Sequence, residues 1–514
     1  MRITGWPVVQ RCRRFASQWR HVCSLPWESA IMTAPEKRPE PFILPTPRGF
    51  HLLGICGTGM GALAVLLREK GFAVSGSDTG FYPPMSDILI NHGIHAFTGW
   101  DPVQLDALDP KKDIVVVGNV CRRTNAASQA AMERGFCCIS QPEALYHFFM
   151  KSAEHRIVIS GTHGKTTTSS LVVNIFEAAK REPSFFIGGE VRSHGCGAHW
   201  AKQEIFVAEG DEYDTAWFDK VPKFWHYAPG CLCINNIEFD HADIYQDLDE
   251  ILSVFEKLVD DMPKDGVVFY NADAPNASSV AARAGARAIG FGAKACGAYR
   301  ATQIVFHDGG TRFDVVTPEH GVIRVESPMT GMHNVYNVTA AMAIALWHGV
   351  SVADCQRGIA EFSGVRKRQE FIGERRGVTV YDDFAHHPTA VRETVRAFRA
   401  RHPEARLWAV FEMKSNTSRR AVFQEAYPEA LAEADVVVLS APWKKDDLPQ
   451  EMLVNIPKIV EDLNAKGVEA YMIPTIDDIV DFVASRVRPG DVVLGMSGSS
   501  FGGFHKKLLD KLGE

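Results

Sequence analysis

The residues with the clearest chemical potential form one short run, Gly161-Thr-His-Gly-Lys-Thr-Thr-Thr168. In such a loop the backbone N–H groups cradle phosphates and a lysine neutralises the charge of the β- and γ-phosphates. Lys165 suits that task, and the Thr166 hydroxyl can hold Mg²⁺. The first glycine of the usual pattern G-x-x-x-x-G-K-S/T would fall on Ile159, so this loop is a variant. Its place between a predicted strand and a predicted helix favours phosphate binding over a surface turn.

Acidic and histidine residues follow two later predicted strands. The strand Glu204–Ala208 runs into Glu209-Gly-Asp-Glu-Tyr-Asp214, and the strand Cys231–Ile234 precedes Asp240-His241. Carboxylates at strand ends in a nucleotide-binding domain can bind Mg²⁺ directly or through water. A histidine beside an acid can be a metal ligand or an ordinary loop residue. At this level a metal site and a solvated acidic loop remain alternatives.

A second glycine-rich turn lies earlier in the chain. The predicted strand His51–Cys56 ends in Gly57-Thr-Gly-Met-Gly61, a helix follows, and the next strand, Ala73–Gly76, leads to Asp78. This order is typical of dinucleotide-binding folds, because the glycines let the backbone approach a pyrophosphate at a helix N-terminus. Asp78 could accept a ribose hydroxyl, and Asn119 follows a third predicted strand. NAD, FAD and a UDP-sugar fit the pattern, as does a tight turn without a ligand.

Two polar clusters lie in the second half of the chain. Gly331-Met-His-Asn-Val-Tyr-Asn337 precedes an alanine-rich helix predicted over Val338–His348, so its polar side chains could cap that helix or face a base. Asp382-Asp-Phe-Ala-His-His-Pro388 follows the predicted strand Val378–Tyr381 and leads into a helix that begins at Thr389. Both clusters are therefore candidates for a site at the ends of structural elements.

The elements that must position these residues alternate between strand and helix, which predicts an α/β fold with mostly parallel sheets. The length of 514 residues allows about three domains, at roughly 150 residues each. We place the domains at residues 49–152, 153–364 and 365–514. Residues 1–48 carry several arginines before the first acid, and we interpret them as a disordered or mis-annotated extension. Met32 is then the expected start.

The composition excludes several classes of protein. Hydrophobic residues make up 46% and charged residues 23%, which is ordinary for a soluble globular protein. The net charge of −7 gives no basic excess for nucleic acid, and no apolar stretch approaches the roughly 18 residues that span a bilayer. The 11 cysteines are scattered and fit reduced thiols. We therefore expect a cytoplasmic protein that binds no nucleic acid and does not insert into a membrane.

Taken together, the motifs resemble the Mur ligase family of ATP-dependent, amide-forming ligases. The phosphate loop, Asp240-His241, the run 331–337 and the run 382–388 occur in the order that the family has. The resemblance covers Gly54 to the C-terminus. It implies a Rossmann-like UDP-sugar domain, a central P-loop ATPase domain and a Rossmann-like C-terminal domain that brings the amino substrate. It also implies that the first glycine turn binds a UDP-sugar.

Particular stretches resemble the branch that joins UDP-N-acetylmuramate to the murein tripeptide L-alanyl-γ-D-glutamyl-meso-diaminopimelate. These stretches are Tyr82-Pro-Pro-Met-Ser86, Glu209-Gly-Asp-Glu-Tyr-Asp214, Asn236–Tyr245 and Phe411–Thr417. The alternative is the branch that adds a single L-alanine to the same UDP-sugar. That branch tends to read Asp-Glu-Ser-Asp around position 213, where this chain has Tyr213, and His-Arg-Tyr-Thr in place of residues 414–417. Tyr245 and Phe255 replace the His and the modified Lys of sister ligases, so no carbamylated lysine is expected.

The resemblance implies that the muramate carboxylate attacks the γ-phosphate of ATP and that the tripeptide amine then displaces phosphate from the acyl phosphate. The catalytic candidates are Lys165, His241, Arg368 and His386. The ATP-binding candidates are Gly161, Thr162, His163, Gly164, Lys165, Thr166, Thr167, His333, Asn334, Asn337, Arg368 and Asp383.

The same resemblance implies ligands for Mg²⁺ and for the two other substrates. The metal candidates are Thr166, Glu209 and His241. The candidates for the UDP-sugar are Gly57, Thr58, Gly59, Met60, Gly61, Asp78 and Asn119. The candidates for the tripeptide are Lys414, Ser415 and Asn416.

Overall fold

The computed structural model describes residues 43–44, 46–201, 204–295, 297–441 and 449–513. The extension predicted at residues 1–48 therefore lies almost wholly outside the described residues. Three α/β units follow one another along the chain, and each is built on its own large sheet. This arrangement confirms the predicted fold class. Among the residues that the structure describes, every helix is too short or too polar to cross a lipid bilayer.

The first unit is a parallel sheet in the order β3-β2-β1-β4-β5. Its strands are β1 (Gly49–Leu53), β2 (Ala73–Asp78), β3 (His95–Thr98), β4 (Asp113–Val117) and β5 (Cys137–Ser140), and its helices are α1 (Thr58–Glu69), α2 (Met85–Asn91), α3 (Ala126–Glu133) and α4 (Gln141–Phe148). The strand order reverses between β1 and β4, where ligands of such sheets bind. The predicted end of β1 at Cys56 was wrong, because Gly54, with φ +88°, turns the chain before the glycine run.

The middle unit is a ten-stranded sheet in the order β17-β16-β15-β14-β13-β12-β6-β9-β7-β8, with a separate hairpin, β10-β11. Its strands are β6 (His155–Ser160), β7 (Ser184–Val191), β8 (Cys196–His199), β9 (Ile205–Gly210), β10 (Asp214–Ala216), β11 (Asp219–Pro222), β12 (Cys231–Ile234), β13 (Val267–Asn271), β14 (Ala288–Gly292), β15 (Tyr299–His307), β16 (Gly310–Thr317) and β17 (Gly321–Ser327). Its helices are α5 (Lys165–Ala178), α6 (Leu248–Asp260), α7 (Pro275–Ala281), α8 (Met332–Trp347) and α9 (Val352–Ala360).

The sheet of the middle unit is mostly parallel, as predicted, with antiparallel strands at both edges. Strands β15 to β17 pair antiparallel at one edge of the sheet, and β8 pairs antiparallel with β7 at the other. The predicted start of the alanine-rich helix at Val338 was wrong. Helix α8 begins at Met332, because Gly331, with φ +99°, ends the preceding extended chain. His333, Asn334 and Asn337 therefore lie inside the first turns of the helix.

The third unit is a six-stranded sheet in the order β18-β19-β23-β20-β21-β22, parallel except for β18. Its strands are β18 (Glu370–Arg375), β19 (Val378–Asp383), β20 (Leu407–Glu412), β21 (Val436–Ser440), β22 (Glu469–Ile473) and β23 (Val492–Ser497). Its helices are α10 (Pro388–Arg401), α11 (Ala426–Leu431), α12 (Ile456–Ala465), α13 (Ile476–Arg486) and α14 (Phe504–Gly513). Helices cover both faces, which is why β20 and β23 are buried along their whole length.

Candidate active site

Three neighbouring strands of the middle sheet bring the candidate residues together. Strand β6 pairs in parallel with β9 and β12, and Ser160 lies opposite both Gly210 and Ile234. Because parallel strands end at the same edge of a sheet, three loops start side by side there. These loops are the phosphate loop, the acidic run after β9 and the Asp-His run after β12.

The phosphate loop has the backbone that its glycines predict. Gly161 and Gly164 have φ values of +121° and +82°, which residues with a Cβ rarely adopt. A Cβ at Gly164 would lie 2.5 Å from Asn337 Oδ1. The loop is held from outside by Asn236, whose carbonyl and side-chain oxygens accept the N–H groups of Thr162 (3.0 Å) and His163 (2.8 Å). Strand β6, the loop and helix α5 thus follow one another in the predicted order, while the binding of phosphate by the loop stays a prediction.

Lys165 is held in place by two oxygen groups. Its Nζ donates to the carbonyl of Gly161 at 2.7 Å and to Glu212 Oε2 at 2.9 Å. Burial alone would lower the pKa of Lys165, but the carboxylate of Glu212 raises the pKa above its ordinary value. The ammonium is therefore charged, and it points into the loop that would hold phosphates.

Glu212 also anchors His241, which sequence reasoning placed in the site without this partner. His241 Nε2 lies 3.3 Å from Glu212 Oε1, and the backbone of His241 has a positive φ of 54°. Burial by itself lowers the pKa of His241, yet the hydrogen bond to Glu212 and the charges of Asp240 and Glu212 raise it to about 9. Glu212 was missed as a site residue, although the acidic run that contains it was the signal available.

The predicted magnesium ligands fall into two adjacent groups. Thr166 Oγ1 lies 3.3 Å from Glu209 Oε1, a spacing that two oxygen ligands of an octahedral Mg²⁺ can have. His241 instead joins Asp211 and Glu212 in a group of possible ligand atoms within 4.8 Å of one another. The oxygen pair suits Mg²⁺, while a protonated His241 would have to release its proton before it could bind a metal.

The polar residues at the start of α8 brace the phosphate loop. Asn337 Nδ2 donates to Asn334 Oδ1 at 3.0 Å, and Asn337 Oδ1 accepts from Thr168 at 3.1 Å. Asn334 in turn donates to the carbonyl of Thr330 at 2.9 Å. Both asparagines are buried, so these contacts pack α8 against α5. Burial also lowers the pKa of the neighbouring His333 to about 4, which keeps its ring neutral.

The segment before the third sheet reaches back to the phosphate loop. Arg368 Nη2 donates to Thr166 Oγ1 at 3.3 Å, and its guanidinium lies 4.9 Å from the centre of the Phe384 ring. Asp383 fixes this segment, because it accepts the N–H groups of Gln369 and Ala385, each at 2.8 Å. The structure therefore brings Arg368 next to Thr166, whereas its predicted contact with the phosphates of ATP stays a prediction.

His386 lies on the loop that follows β19. Its Nδ1–H donates to the carbonyl of Phe384 at 3.0 Å, which leaves the lone pair on Nε2. Burial lowers the pKa of His386. The ring is therefore neutral and can accept a proton.

A second contact joins the third unit to the Asp-His loop. His387 Nε2 donates to the carbonyl of Phe239 at 3.0 Å, and Asn416 Nδ2 donates to Asp243 Oδ2 at 3.0 Å. Thr417 donates a hydrogen bond to the buried carboxylate of Asp240. The loop with the peptide-binding candidates Lys414, Ser415 and Asn416 thus lies against the middle unit.

The residues of the glycine turn in the first unit differ in their surroundings: some leave open space at the start of α1, and others pack against neighbouring elements. Helix α1 begins at Thr58, directly after Gly57, and a Cβ at Gly59 would have no neighbour closer than 3.8 Å. A Cβ at Gly61 would lie 2.0 Å from Met85 Sδ, so this glycine serves helix packing. Met60 is buried against Gly118.

The two polar candidates of the first unit are already hydrogen-bonded. Asp78 Oδ2 accepts the N–H of Cys56 at 2.9 Å, and Oδ1 accepts the N–H of Thr79 at 2.7 Å. Asn119 Nδ2 donates to Asp214 Oδ1 of the middle unit at 2.8 Å. The structure therefore gives Asp78 a bracing task beside the turn, whereas its predicted bond to a ribose stays a prediction.

Comparison with known families gives three matches that together span most of the chain. Residues 49–152 match the catalytic domain of the Mur ligase family, residues 159–345 match the Mur ligase middle domain, and residues 367–499 match the Mur ligase glutamate ligase domain. The three matches follow the order of the three sheets.

Individual relatives align over nearly the whole chain. The chain is 37% identical to the UDP-N-acetylmuramate–L-alanyl-γ-D-glutamyl-meso-2,6-diaminoheptandioate ligase of Escherichia coli, over 90% of this chain and 98% of the relative. It is 31% identical to the UDP-N-acetylmuramate–L-alanine ligase of Clostridium acetobutylicum, over 86% of this chain and 93% of the relative. The crystal structure of a murein peptide ligase from Psychrobacter arcticus matches with a TM-score of 0.68 at 30% identity, over 91% of this chain and 99% of that chain.

Proposed function

This chain belongs to the Mur ligase family, and from that premise we propose that it joins UDP-N-acetylmuramate to the tripeptide L-alanyl-γ-D-glutamyl-meso-diaminopimelate at the expense of ATP. The observation that carries the proposal is the 37% identity, over 90% of this chain, to a ligase named for those substrates. The product would be an amide, and the reaction would return a peptide released from the cell wall to a nucleotide precursor in the cytoplasm.

The first step activates the muramate carboxylate. One carboxylate oxygen attacks the γ-phosphorus of ATP, the bond from that phosphorus to the β-phosphate oxygen breaks, and ADP leaves. Lys165 and Arg368 lie where positive charge would stabilise the transferring phosphoryl group. Thr166 and Glu209 would hold Mg²⁺, which when bound would neutralise further phosphate charge.

The second step forms the amide. The L-alanyl amine of the tripeptide attacks the acyl carbon, the bond from that carbon to the phosphate oxygen breaks, and inorganic phosphate leaves. The attacking nitrogen must also release a proton. His386 would accept it, because its lowered pKa keeps the ring unprotonated and its Nε2 carries a lone pair.

The three segments of the chain would divide the work. We assign residues 49–152 to the UDP-sugar, residues 153–364 to ATP and residues 365–514 to the tripeptide. The glycine turn at Thr58, the phosphate loop at Lys165 and the loop with Lys414, Ser415 and Asn416 support this division. Because the parts of the site come from different segments, the reaction would require the segments to close around the substrates.

The proposal is tested by release of phosphate from ATP by the full-length protein. We expect release only when UDP-N-acetylmuramate and the tripeptide are both present, with the ligated nucleotide as the other product. Release with UDP-N-acetylmuramate and L-alanine at an equal or greater rate would contradict the proposal and favour the alanine-adding alternative. Release from ATP alone would identify a simple nucleotidase.

A further inference from the structure

A cluster of polar side chains that the reaction described above does not use lies at the contact between the first two units. Ser140 and Glu143 lie at the start of α4 in the first unit. Asp219 begins β11 of the middle unit, and His226 ends the 3₁₀ turn that follows this strand. All four residues are buried. Carboxyl groups removed from water are paired or bind a metal, so the partners of these two decide what the cluster does.

One hydroxyl group links the two carboxyl groups of the cluster. Ser140 Oγ lies 2.8 Å from Asp219 Oδ2 and 3.0 Å from Glu143 Oε2, and the latter oxygen also accepts the N–H of Ser140 at 2.8 Å. A hydroxyl has a single proton, which cannot point at both carboxyl oxygens at once. A cation bound beside these oxygens would stabilise the contact that lacks the proton.

The ring of His226 brings a nitrogen to the same carboxyl oxygen. His226 Nε2 lies 3.0 Å from Asp219 Oδ2, which is within hydrogen-bond distance. The two atoms nevertheless lack the alignment of a hydrogen bond, and Nε2 has no other hydrogen-bond partner in the part of the chain that the structure describes. A buried ring nitrogen without a hydrogen bond is costly, whereas the lone pair of a neutral imidazole can bind a metal ion.

The cluster has the ligand atoms and the enclosure of a zinc site. One atom each from Glu143, Asp219 and His226 lies within 4.8 Å of the other two, and neighbouring ligands of a tetrahedral zinc ion are about 3.3 Å apart. One imidazole nitrogen and two carboxylate oxygens suit zinc, and the Ser140 hydroxyl is close enough to complete a set of four. Magnesium fits poorly, because it keeps several waters and these side chains are buried.

We propose that Glu143, Asp219 and His226 bind a structural zinc ion that joins the first unit to the middle unit. None of these residues was assigned to a substrate or to magnesium, so the zinc site stands apart from the proposed reaction. The connection between β10 and β11 already contacts the first unit, since Trp217 Nε1 donates to Ser128 Oγ at 3.2 Å. The zinc ion would fasten the start of β11 to the start of α4 beside this contact.

The test is a zinc titration of the full-length protein, freed of metal with EDTA, in competition with a chromophoric chelator of micromolar affinity. Wild type should take one zinc ion per chain from the chelator, because structural zinc sites bind far more tightly than that. Asp219→Asn and His226→Gln should each weaken zinc binding about 100-fold or more, since even loss of an outer-shell partner costs up to that much. His307→Gln, at an exposed histidine in β15, is the matched control and should not change zinc affinity.

Two other groups of side chains need their own variants, because each also places possible metal ligands within reach of one another. These groups are His163, Glu238 and His387, and Asp211, Glu212 and His241. His387→Gln and His241→Gln should leave the tightly bound zinc ion in place. Loss of zinc in either variant, with retention in His226→Gln, would place the metal elsewhere and overturn the inference.

Cobalt bound by wild type makes the test independent of whether the variants fold. Co²⁺ in a closed site of four ligands is tetrahedral and absorbs visible light strongly, whereas six-coordinate Co²⁺ in a hydrated site absorbs weakly. We expect a strong spectrum that zinc abolishes. A weak cobalt spectrum would overturn the inference, as would equal zinc affinity of wild type and His226→Gln, and the cluster would then be an ion pair of His226 with Asp219 only.

Discussion

At the scale of single residues, Lys165 and Glu212 depend on each other. Glu212 is only 2% exposed and pairs with Lys165 at 2.9 Å, so removal of the lysine would leave a buried carboxylate with His241 as its remaining cationic partner. The lysine is thus both a group that would stabilise transferred phosphate and a part of the packing that holds the Asp-His loop. Any test of its chemistry must separate these two effects.

Lys165→Ala should abolish ligation while UDP binding stays close to that of wild type. Ligation requires positive charge beside the transferred phosphoryl group, whereas UDP binding is assigned to the first unit and Lys165 Nζ bonds to Gly161 and Glu212 of the middle unit. Phosphate release and calorimetric titration of UDP measure the two properties. Lys257→Ala, at an exposed ion pair with Asp261, is the control and should leave both unchanged. Loss of UDP binding in Lys165→Ala would show that the roles of the first two units are wrongly divided.

Gly164→Ala should lower kcat/KM for ATP about 100-fold, because a displacement of about 1 Å in a catalytic loop can cost that much. The new Cβ would lie 2.5 Å from Asn337 Oδ1 and 2.8 Å from Asn235 Nδ2, so the loop or these two hydrogen-bonded side chains must move. Gly71→Ala is matched in backbone strain, since Gly71 has φ +98°, but a Cβ there would meet nothing within 4 Å. Equal activity of the two variants would mean that the contact with Asn337 does not matter.

At the scale of elements, the sequence predicts the strands, loops and helices that neighbouring residues encode. It does not predict contacts that arise when distant strands pair. Strand β6, its glycine loop and α5 are contiguous, so their order was readable from apolar pattern and glycine spacing. The pairing of Lys165 with Glu212 spans 47 residues and exists because β9 lies beside β6. The start of α8 was predicted too late, because polar residues such as Asn334 and Asn337 are typical of loops. Their place in the helix is explained by buried hydrogen bonds that the sequence does not show.

The end of β19 holds a carboxyl group in an unusual state. Asp382 is 9% exposed, and its burial raises its pKa to about 7, despite the nearby charge of Lys367. It lies 3.5 Å from His505, whose pKa burial lowers to about 4. Midway between these two pKa values, the pair is therefore a neutral acid beside a neutral imidazole.

Asp382 should make the protein less stable as the pH rises from 5 to 8. The folded protein retains a proton that the unfolded chain has already lost, so stability falls until the pH passes the folded pKa. The loss should be about 2–3 kcal/mol of unfolding free energy. Thermal unfolding at both pH values measures it, and Asp382→Asn should remove most of the difference. Asp477→Asn, at an exposed position, should not. An equal pH dependence in both variants would contradict the account.

At the scale of the whole molecule, the site depends on contacts between units. Arg368 reaches Thr166, and the loop that carries Asn416 and Thr417 contacts Asp240 and Asp243. The motifs in the sequence predicted that all three segments contribute. They did not predict which atoms meet, because those contacts depend on how separately folded sheets pack.

Thr417→Val should lower kcat/KM for the tripeptide about tenfold or more, since a hydrogen bond to a charged group is worth about 1.5–3 kcal/mol. The substitution keeps the shape of the side chain and removes only its bond to Asp240. Steady-state kinetics with varied tripeptide measures the effect, and UDP binding should not change. Thr98→Val, at an exposed position in β3, is the control. A full-activity Thr417→Val enzyme would mean that this contact does not help to close the site.

The central claim is the identity of the peptide substrate, and a competition experiment tests it most directly. The full-length protein would be given ATP, UDP-N-acetylmuramate and equal concentrations of the tripeptide and L-alanine, and the products would be identified by mass spectrometry. We predict that UDP-N-acetylmuramoyl-tripeptide is formed in large excess. Formation of UDP-N-acetylmuramoyl-L-alanine in equal or greater amount would contradict it.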